Sequence, residues 1–226
     1  MRLLMVVTSQ ATVGDSARRT GLWIEELAAP WFTFRDAGAQ VTLASPKGGP
    51  APTDPTGDAV LPVPAPVSRF HADRQAMSAL AATHPLSAID ASSFDGLFFV
   101  GGIGPMWDLA HDAEAMALIQ SAFASGKALA FICHGQAALV NARAPDGRPL
   151  VAGRTLTAFS RIEDEAAGLV GITPFVLEDR LRELGADYRC GPPDQPFVVR
   201  DGALLTGQNP ASSEPLAQAM LALLRG

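Results

Sequence analysis

A cysteine, a histidine and a glycine follow an apolar run in the middle of the chain. Residues 128–132 read Ala-Leu-Ala-Phe-Ile, then come Cys133, His134 and Gly135, and an Ala/Leu-rich helical pattern follows. A strand that turns so abruptly into a helix is typical of a nucleophile elbow, which lifts one side chain to the carboxyl edge of a sheet. The helix N-terminus and the imidazole would both favour a thiolate over a thiol. We therefore expect Cys133 to be a nucleophile.

His134 is the only nearby candidate for the base, since no histidine follows it in the chain. An α/β-hydrolase needs its triad histidine after the nucleophile. A working class I glutamine amidotransferase would also need a downstream His-x-Glu pair, so the sequence excludes both classes. The second cysteine, Cys190, has neither an elbow nor an adjacent histidine. We interpret Cys190 as structural.

A glycine-rich turn, Gly101-Gly102-Ile103-Gly104, ends another predicted strand. It could be a plain turn, because glycine adopts positive φ without steric cost. At a strand end that faces the elbow, however, its backbone N–H groups would be natural donors to an oxyanion. The pattern is weak alone and gains weight only from its position beside Cys133.

Two groups of carboxylates complete the set of candidate residues. The run Glu163-Asp164-Glu165 suits a solvated helix start, but one of the three could instead orient the imidazole of His134. Glu25 and Glu26 are adjacent on a predicted helix and therefore face different sides of it. At most one of the two can point at Cys133.

Strands and helices alternate along the chain, which indicates a single α/β domain over residues 1–226. We expect a doubly wound, flavodoxin-like, mostly parallel sheet between helices, with active groups at the carboxyl ends of strands. Residues 45–66, rich in proline and glycine, are expected to be a surface loop. The predicted strands cover 2–8, 40–44, 96–100, 128–132, 155–159, a short segment near 188 and a hairpin at 198–206. The predicted helices cover 20–38, 69–82, 112–124, 174–184 and 213–224.

Composition indicates a globular protein and argues against a nucleic-acid-binding surface and a membrane span. The chain is 48% hydrophobic and 18% charged, and its formal net charge of −6 argues against a nucleic-acid surface. The apolar run at residues 3–7 is too short to span a bilayer. Two cysteines form no disulfide framework, and no metal-ligand cluster is apparent. We expect a cytoplasmic protein without a bound metal.

Several motifs in this order resemble the ThiJ/PfpI superfamily, which has the class I glutamine amidotransferase-like fold. Within it, the chain looks most like the branch of heat-shock chaperones and cofactor-independent glyoxalases known as glyoxalase III. The similarity spans nearly the whole chain. It rests on 20–26 with Pro30, on 44–49 (Ala-Ser-Pro-Lys-Gly-Gly), on Gly101-Gly102-x-Gly104, on Ala130-x-x-Cys133-His134-Gly135, on Phe159-Ser160 with the acidic run, and on 206–212 (Thr-Gly-Gln-Asn-Pro-Ala-Ser).

The resemblance implies a role for each matching residue. Cys133 corresponds to the nucleophile, His134 to the triad histidine and Asp164 to the triad acid. Glu26 corresponds to the glutamate that approaches the sulfur. The oxyanion hole and substrate-binding turn fall on Gly101, Gly102 and Ile103, together with the amide of His134. A homodimer is also implied.

One position departs from the pattern of this branch, which usually has a histidine inside the glycine turn where this chain has Ile103. The isoleucine removes a polar group from the pocket mouth and adds apolar bulk. The departure leaves the triad intact and affects the recognition of the substrate.

The resemblance implies cofactor-independent conversion of methylglyoxal, or a related 2-oxoaldehyde, to the 2-hydroxy acid through a Cys133 hemithioacetal. Two alternatives stay open. The first is a stress-response protein whose cysteine senses oxidants and whose surface holds unfolded clients. The second is a cysteine amidase or peptidase, or a hydratase for another small carbonyl or isonitrile-like substrate.

Overall fold

Nine short strands are present in the computed structural model, which describes residues 1–226. Seven form one sheet, in the order β3-β2-β1-β4-β5-β9-β8 once the strands are numbered along the chain, and all neighbours are parallel except β8 and β9. The remaining two, β6 and β7, pair with each other. The strands are β1 (Arg2–Val6), β2 (Gln40–Ser45), β3 (His84–Pro85), β4 (Gly96–Phe99), β5 (Ala128–Ile132), β6 (Thr155–Leu156), β7 (Asp187–Tyr188), β8 (Val198–Asp201) and β9 (Leu204–Gly207).

Eight helices cover the sheet on both faces. Each buried strand therefore contributes alternate side chains to two apolar clusters: Leu4 and Val6 of β1 belong to one, and Leu3 and Met5 to the other. The helices are α1 (Ile24–Asp36), α2 (Pro55–Asp58), α3 (Ala65–Ala72), α4 (Arg74–Ala81), α5 (Ala113–Ala124), α6 (Arg161–Ala166), α7 (Leu177–Glu183) and α8 (Ser213–Arg225).

The two sides of the sheet are covered by different helices. Trp31 of α1, Phe70 of α3 and Met220 of α8 lie in one cluster, whereas Ile119 of α5 and Leu181 of α7 lie in the other. This arrangement confirms the predicted doubly wound, mostly parallel α/β fold. No helix is both long enough and apolar enough to cross a lipid bilayer.

Three predicted elements are shorter than expected or broken. The helix predicted over 20–38 begins only at Ile24, because the N–H of Leu22 donates to the carbonyl of Pro52 at 2.9 Å instead of joining a helix. The helix predicted over 69–82 is two helices, since the carboxylate of Asp73 caps α4 by accepting from the N–H groups of Gln75 and Ala76. The helix predicted over 174–184 begins at Leu177.

The strand predicted over 155–159 is wrong in length and in place. Only Thr155 and Leu156 are extended in a ladder, and they pair with β7 outside the main sheet. At the next residue, the N–H of Thr157 donates to the Thr206 hydroxyl at 2.9 Å, so the ladder ends there. The 45–66 segment is mostly loop, as expected, but includes α2 and the start of α3.

The elbow after β5 bends at Cys133, whose φ is 58°. An L-residue in this left-handed region is strained, because its Cβ approaches the next carbonyl oxygen. Residues Cys133–Leu139 then form a 3₁₀ helix and not the α-helix that the sequence pattern suggests. Gly135 is required on this turn, since a Cβ there would lie 2.7 Å from the carbonyl oxygen of Phe99.

The strain at Cys133 predicts an unusual order of stability for two variants. Cys133→Gly and Cys133→Ala both remove the sulfur, but only glycine adopts this φ freely. We expect Cys133→Gly to have a free energy of unfolding higher by about 1 kcal/mol than Cys133→Ala in urea denaturation. In the middle of β5, where φ is not positive, replacing alanine with glycine in Ala130→Gly should instead lower the free energy of unfolding. A Cys133→Ala protein that is more stable than Cys133→Gly would contradict backbone strain at residue 133.

Candidate active site

Three parts of the fold bring four of the predicted side chains together at the carboxyl end of β5. Cys133 and His134 follow β5, Glu26 lies in the first turn of α1, and Asp164 lies in the first turn of α6. All four are buried, with exposures of 4%, 1%, 0% and 1% respectively. The reacting groups are therefore largely removed from bulk solvent, although a cavity leads to the sulfur.

His134 lies between the sulfur and a carboxylate. Its Nδ1 is 3.4 Å from Sγ of Cys133, and its Nε2 is 2.9 Å from Oδ1 of Asp164. When Nε2 donates to Asp164, Nδ1 presents its lone pair to the thiol. The ring also contacts Phe159, with 4.7 Å between ring centroids. The imidazole is thus held in an orientation suited to accept the proton of Cys133.

The three carboxylates of the acidic run have three different environments. Asp164 faces His134. Glu163 is also buried, but its carboxylate accepts from Ser160, Gln208, Asn209 and the N–H of Asp194. Burial alone would raise the pKa of Glu163, and these hydrogen bonds outweigh it and lower the pKa. Glu165 is exposed and pairs with Arg161.

Glu26, and not Glu25, points into the site. Burial raises the pKa of Glu26 to about 8, against a smaller lowering effect of the Cys133 thiol and of the N–H groups of Gly101 and Gly102. Neither carboxyl oxygen has a hydrogen-bond partner of normal geometry. Near neutral pH, Glu26 is therefore mostly a neutral carboxylic acid. Glu25 is half-buried, and burial raises its pKa as well.

The expectation that the elbow favours a thiolate is not met. Burial raises the pKa of Cys133 well above its ordinary value, and the neighbouring Glu26 raises it further when that carboxyl is ionised. The N–H groups of Gly102 and His134 oppose this with a smaller effect. Desolvation exceeds the influence of a short 3₁₀ turn on the thiol, since a charge in an apolar site loses its hydration. The thiol and Glu26 together hold at most one negative charge near neutral pH.

The two glycines of the turn after β4 are required by close contacts. A Cβ on Gly101 would lie 2.4 Å from Oε2 of Glu26, and one on Gly102, whose φ is +87°, would lie 2.5 Å from the N of Trp23. The backbone N–H groups of Gly102 and His134 are close enough to Cys133 to lower the pKa of its thiol. These two donors are in position to stabilise negative charge that develops next to the sulfur.

A cavity of about 310 Å³ opens above the sulfur. Ile103 is 7% exposed and forms part of its wall. The lining residues are Arg18, Trp23, Glu26, Asp54, Thr56, Gly102, Ile103, Cys133, His134, Phe159, Ala167, Leu169, Asp194 and Pro210. A larger cavity of about 540 Å³ at the opposite end of the strands, around Lys127, contains neither a cysteine nor a histidine. No cluster of three or more histidine, cysteine or acidic side chains is arranged to hold a metal ion.

Three charged residues of the cavity wall could not be predicted from the sequence. Arg18, Asp54 and Asp194 reach the cavity from three separate loops, and no local motif marks them as site residues. Asp54 alone has a sequence signal, because Asp-Pro-Thr is a typical helix start, and its carboxylate does cap α2 by accepting from the N–H of Thr56. Its second oxygen accepts from the Thr20 hydroxyl at 2.8 Å.

A sequence profile of the DJ-1/PfpI family matches residues 24–223. The chain belongs to the DJ-1/PfpI family. It is 30% identical over 211 residues to the glutathione-independent glyoxalase hsp3101 of Schizosaccharomyces pombe, covering 89% of this chain and 86% of that protein. It is 26% identical over 237 residues to glyoxalase 3 of Candida albicans, covering 98% of each. The resemblance inferred from the motifs is thereby confirmed.

A solved structure agrees with this assignment. The structure of the Rapid Encystment Protein 24 kDa of Francisella tularensis superposes with a TM-score of 0.94 at 32% identity, covering 99% of this chain and 98% of that one. The sheet and its helices are thus shared over the full length of both chains.

The buried carboxyl of Glu26 predicts how stability depends on pH. Its pKa in the folded state, about 8, is above its ordinary value of 4.5, so the folded protein binds a proton that the unfolded chain releases. The associated stabilisation is complete below pH 4.5 and is lost as pH rises toward 8, by up to about 1.4 kcal/mol per pH unit. Glu26→Gln should remove this slope, as measured by urea denaturation at several pH values.

Glu25→Gln serves as the matched control for this prediction. Glu25 is the neighbouring carboxyl on the same helix turn but is only half-buried. We expect Glu25→Gln to retain most of the wild-type slope. The same pH slope in wild type and Glu26→Gln would contradict a buried, protonated Glu26.

Proposed function

We propose that this protein converts a 2-oxoaldehyde such as methylglyoxal to the corresponding 2-hydroxy acid without glutathione or another cofactor. The observation that supports it most is a buried thiol placed between two proton-transfer groups, His134 with Asp164 and Glu26, in a cavity of small-molecule size. Two relatives aligned over most of the chain are named as glyoxalases, one of them glutathione-independent. The proposed partner is therefore a small carbonyl compound.

The first step forms a carbon–sulfur bond. Sγ of Cys133 attacks the aldehyde carbon, and its proton passes to Nδ1 of His134, 3.4 Å away. His134 then passes this proton to the aldehyde oxygen, which becomes the hydroxyl of a hemithioacetal. As charge develops on that oxygen, the N–H groups of Gly102 and His134 stabilise it. Burial, which disfavours a free thiolate, makes this coupled proton transfer necessary.

The second step moves a proton between the two substrate carbons. The neutral His134 removes the proton from the former aldehyde carbon, and the protonated carboxyl of Glu26 donates its proton to the neighbouring carbonyl oxygen, so an enediol forms. Return of a proton to the neighbouring carbon gives the thioester of the 2-hydroxy acid. The first carbon is oxidised and the second is reduced by the same electron pair, so no external oxidant or reductant takes part.

The last step is hydrolysis. Water adds to the thioester carbonyl, the carbon–sulfur bond breaks, and the 2-hydroxy acid leaves as the sulfur regains a proton. The net reaction adds one water to the 2-oxoaldehyde. The donors that stabilise the first oxyanion serve again here.

Among the alternatives, the redox-sensor interpretation is the less favoured. Sensor cysteines have a low pKa, whereas burial raises the pKa of Cys133. Hydrolysis of an amide or ester would use the same Cys133, His134 and Asp164, and a substrate panel separates that activity from the proposed one.

We also propose a homodimer, a cytoplasmic location and a capacity to hold unfolded clients, all supported by the resemblance to the heat-shock branch. Exposed apolar side chains such as Leu61 and Ile162, at 82% and 61%, are available to contact a client or a second copy. Sedimentation velocity tests the dimer, and suppression of aggregation by Cys133→Ala tests client binding apart from catalysis.

The proposed function predicts that purified protein forms D-lactate from methylglyoxal. Cys133→Ala should abolish turnover, because no carbon–sulfur bond can form. Asp164→Asn should lower kcat by about 10²–10⁴-fold, since the imidazole loses its orienting carboxylate. Chiral analysis of the product, with Cys190→Ala as the control, checks both outcomes. Equal turnover by wild type and Cys133→Ala would disprove the proposal.

A further inference from the structure

A small apolar cluster lies at the cavity, separate from the two main clusters of the fold. Val13, Ile103 and Leu169 form it, with exposures of 9%, 7% and 9%, and Phe159 packs against it. Ile103, Leu169 and Phe159 all line the cavity that contains Cys133. We call these three residues the apolar wall.

The apolar wall is fixed by backbone hydrogen bonds. The N–H of Leu169 donates to the carbonyl of Asp164 at 2.9 Å, and the N–H of Phe159 donates to the carbonyl of Cys133 at 3.3 Å. Ile103 follows Gly101 and Gly102 in a turn that packs against the elbow, since a Cβ on Gly101 would lie 2.8 Å from Cβ of Cys133. Each wall residue is thus tied to a residue of the proposed reaction centre, so the wall keeps a constant position relative to the sulfur.

The cavity is much larger than methylglyoxal requires. Its volume of about 310 Å³ falls in the range of pockets that hold drug-sized ligands, about 300–1,000 Å³. The aldehyde carbon must bond to the sulfur, and the substituent on the second carbon must occupy the rest of the same space. A methyl group offers the apolar wall much less apolar surface to bury than a longer alkyl or an aryl group does.

Charged groups at the cavity do not favour one sign of substituent. Arg18 is the only lysine or arginine among the lining residues, and Asp54 and Asp194 are the carboxylates that accompany it besides Glu26. The side chain of Arg18 forms no salt bridge within the chain. The carboxylate of Asp54 accepts hydrogen bonds from Thr20 and Thr56. The apolar wall is therefore the feature that discriminates between substituents.

We propose that the apolar wall is a subsite for the substituent of the 2-oxoaldehyde and selects alkyl or aryl groups larger than methyl. This inference rests on the proposed glyoxalase activity and specifies its substrate class. Ile103 and Leu169 are the specificity-determining residues. One additional methylene in such a pocket changes kcat/KM by about 10-fold or more.

The test compares phenylglyoxal with methylglyoxal on the same preparation. The ratio of their kcat/KM values does not depend on the folded fraction, because both substrates meet the same active molecules. Ile103→Thr and Leu169→Thr should each lower the phenylglyoxal-to-methylglyoxal ratio by about 10-fold. Ile103→Val, which stays apolar, should keep most of the wild-type ratio.

Val151→Thr is the matched control, since Val151 is fully buried in one of the main clusters away from the cavity. It should leave the ratio unchanged even where it lowers stability. Unchanged ratios in both Ile103→Thr and Leu169→Thr would overturn the subsite while leaving the proposed activity intact.

A second readout keeps the two proposals distinguishable. If wild type turns over neither substrate, the proposed activity fails, and calorimetric binding of mandelate and lactate then decides the subsite. Tighter binding of mandelate by wild type, lost in Ile103→Thr, supports the apolar wall. Equal affinity for the two acids overturns it.

Discussion

The burial of Glu26 beside Cys133 is the interaction on which the rest of the site depends. A carboxyl group with no exposed surface and no well-placed partner retains its proton, and its pKa rises to about 8. The thiol next to it is desolvated as well and resists ionisation. The pocket therefore tolerates little negative charge, and sulfur chemistry there must be coupled to proton transfer. His134, held by Asp164, supplies the acceptor, and the N–H groups of Gly102 and His134 supply the donors.

The scaffold keeps this pair together through contacts between the ends of strands. The N–H of Trp23 donates to the carbonyl of Gly101 at 3.2 Å, which joins the start of α1 to the end of β4. On the other side, Nε2 of Gln136 donates to the carbonyls of Thr157 and Gly207, both at 2.9 Å. These buried hydrogen bonds fix the position of the elbow and compensate for the backbone strain at Cys133. A side chain at Gly101 would displace Glu26, and a side chain at Gly102 would displace the start of α1.

Much of the fold could be predicted from the sequence, because buried parallel strands are continuous apolar runs. β1, β4 and β5 were found in this way. The segment after Thr155 could not, since the partner that ends its ladder, Thr206, is distant in the chain. At the site, residue spacing alone did not decide which carboxylate orients His134 or which one faces Cys133. The family resemblance selected Asp164 and Glu26 for these two positions. The raised pKa of Cys133 was missed, because desolvation depends on how α1 packs over the elbow.

Infrared difference spectroscopy of the Glu26 carboxyl tests the central claim most directly. Spectra of wild type and Glu26→Gln, recorded from about pH 6 to about pH 10, isolate the band of this one group. We predict the carbonyl stretch of a protonated carboxylic acid at the lower pH, replaced by carboxylate bands with a midpoint near 8. A carboxylate spectrum for Glu26 already present at pH 6 would contradict the account.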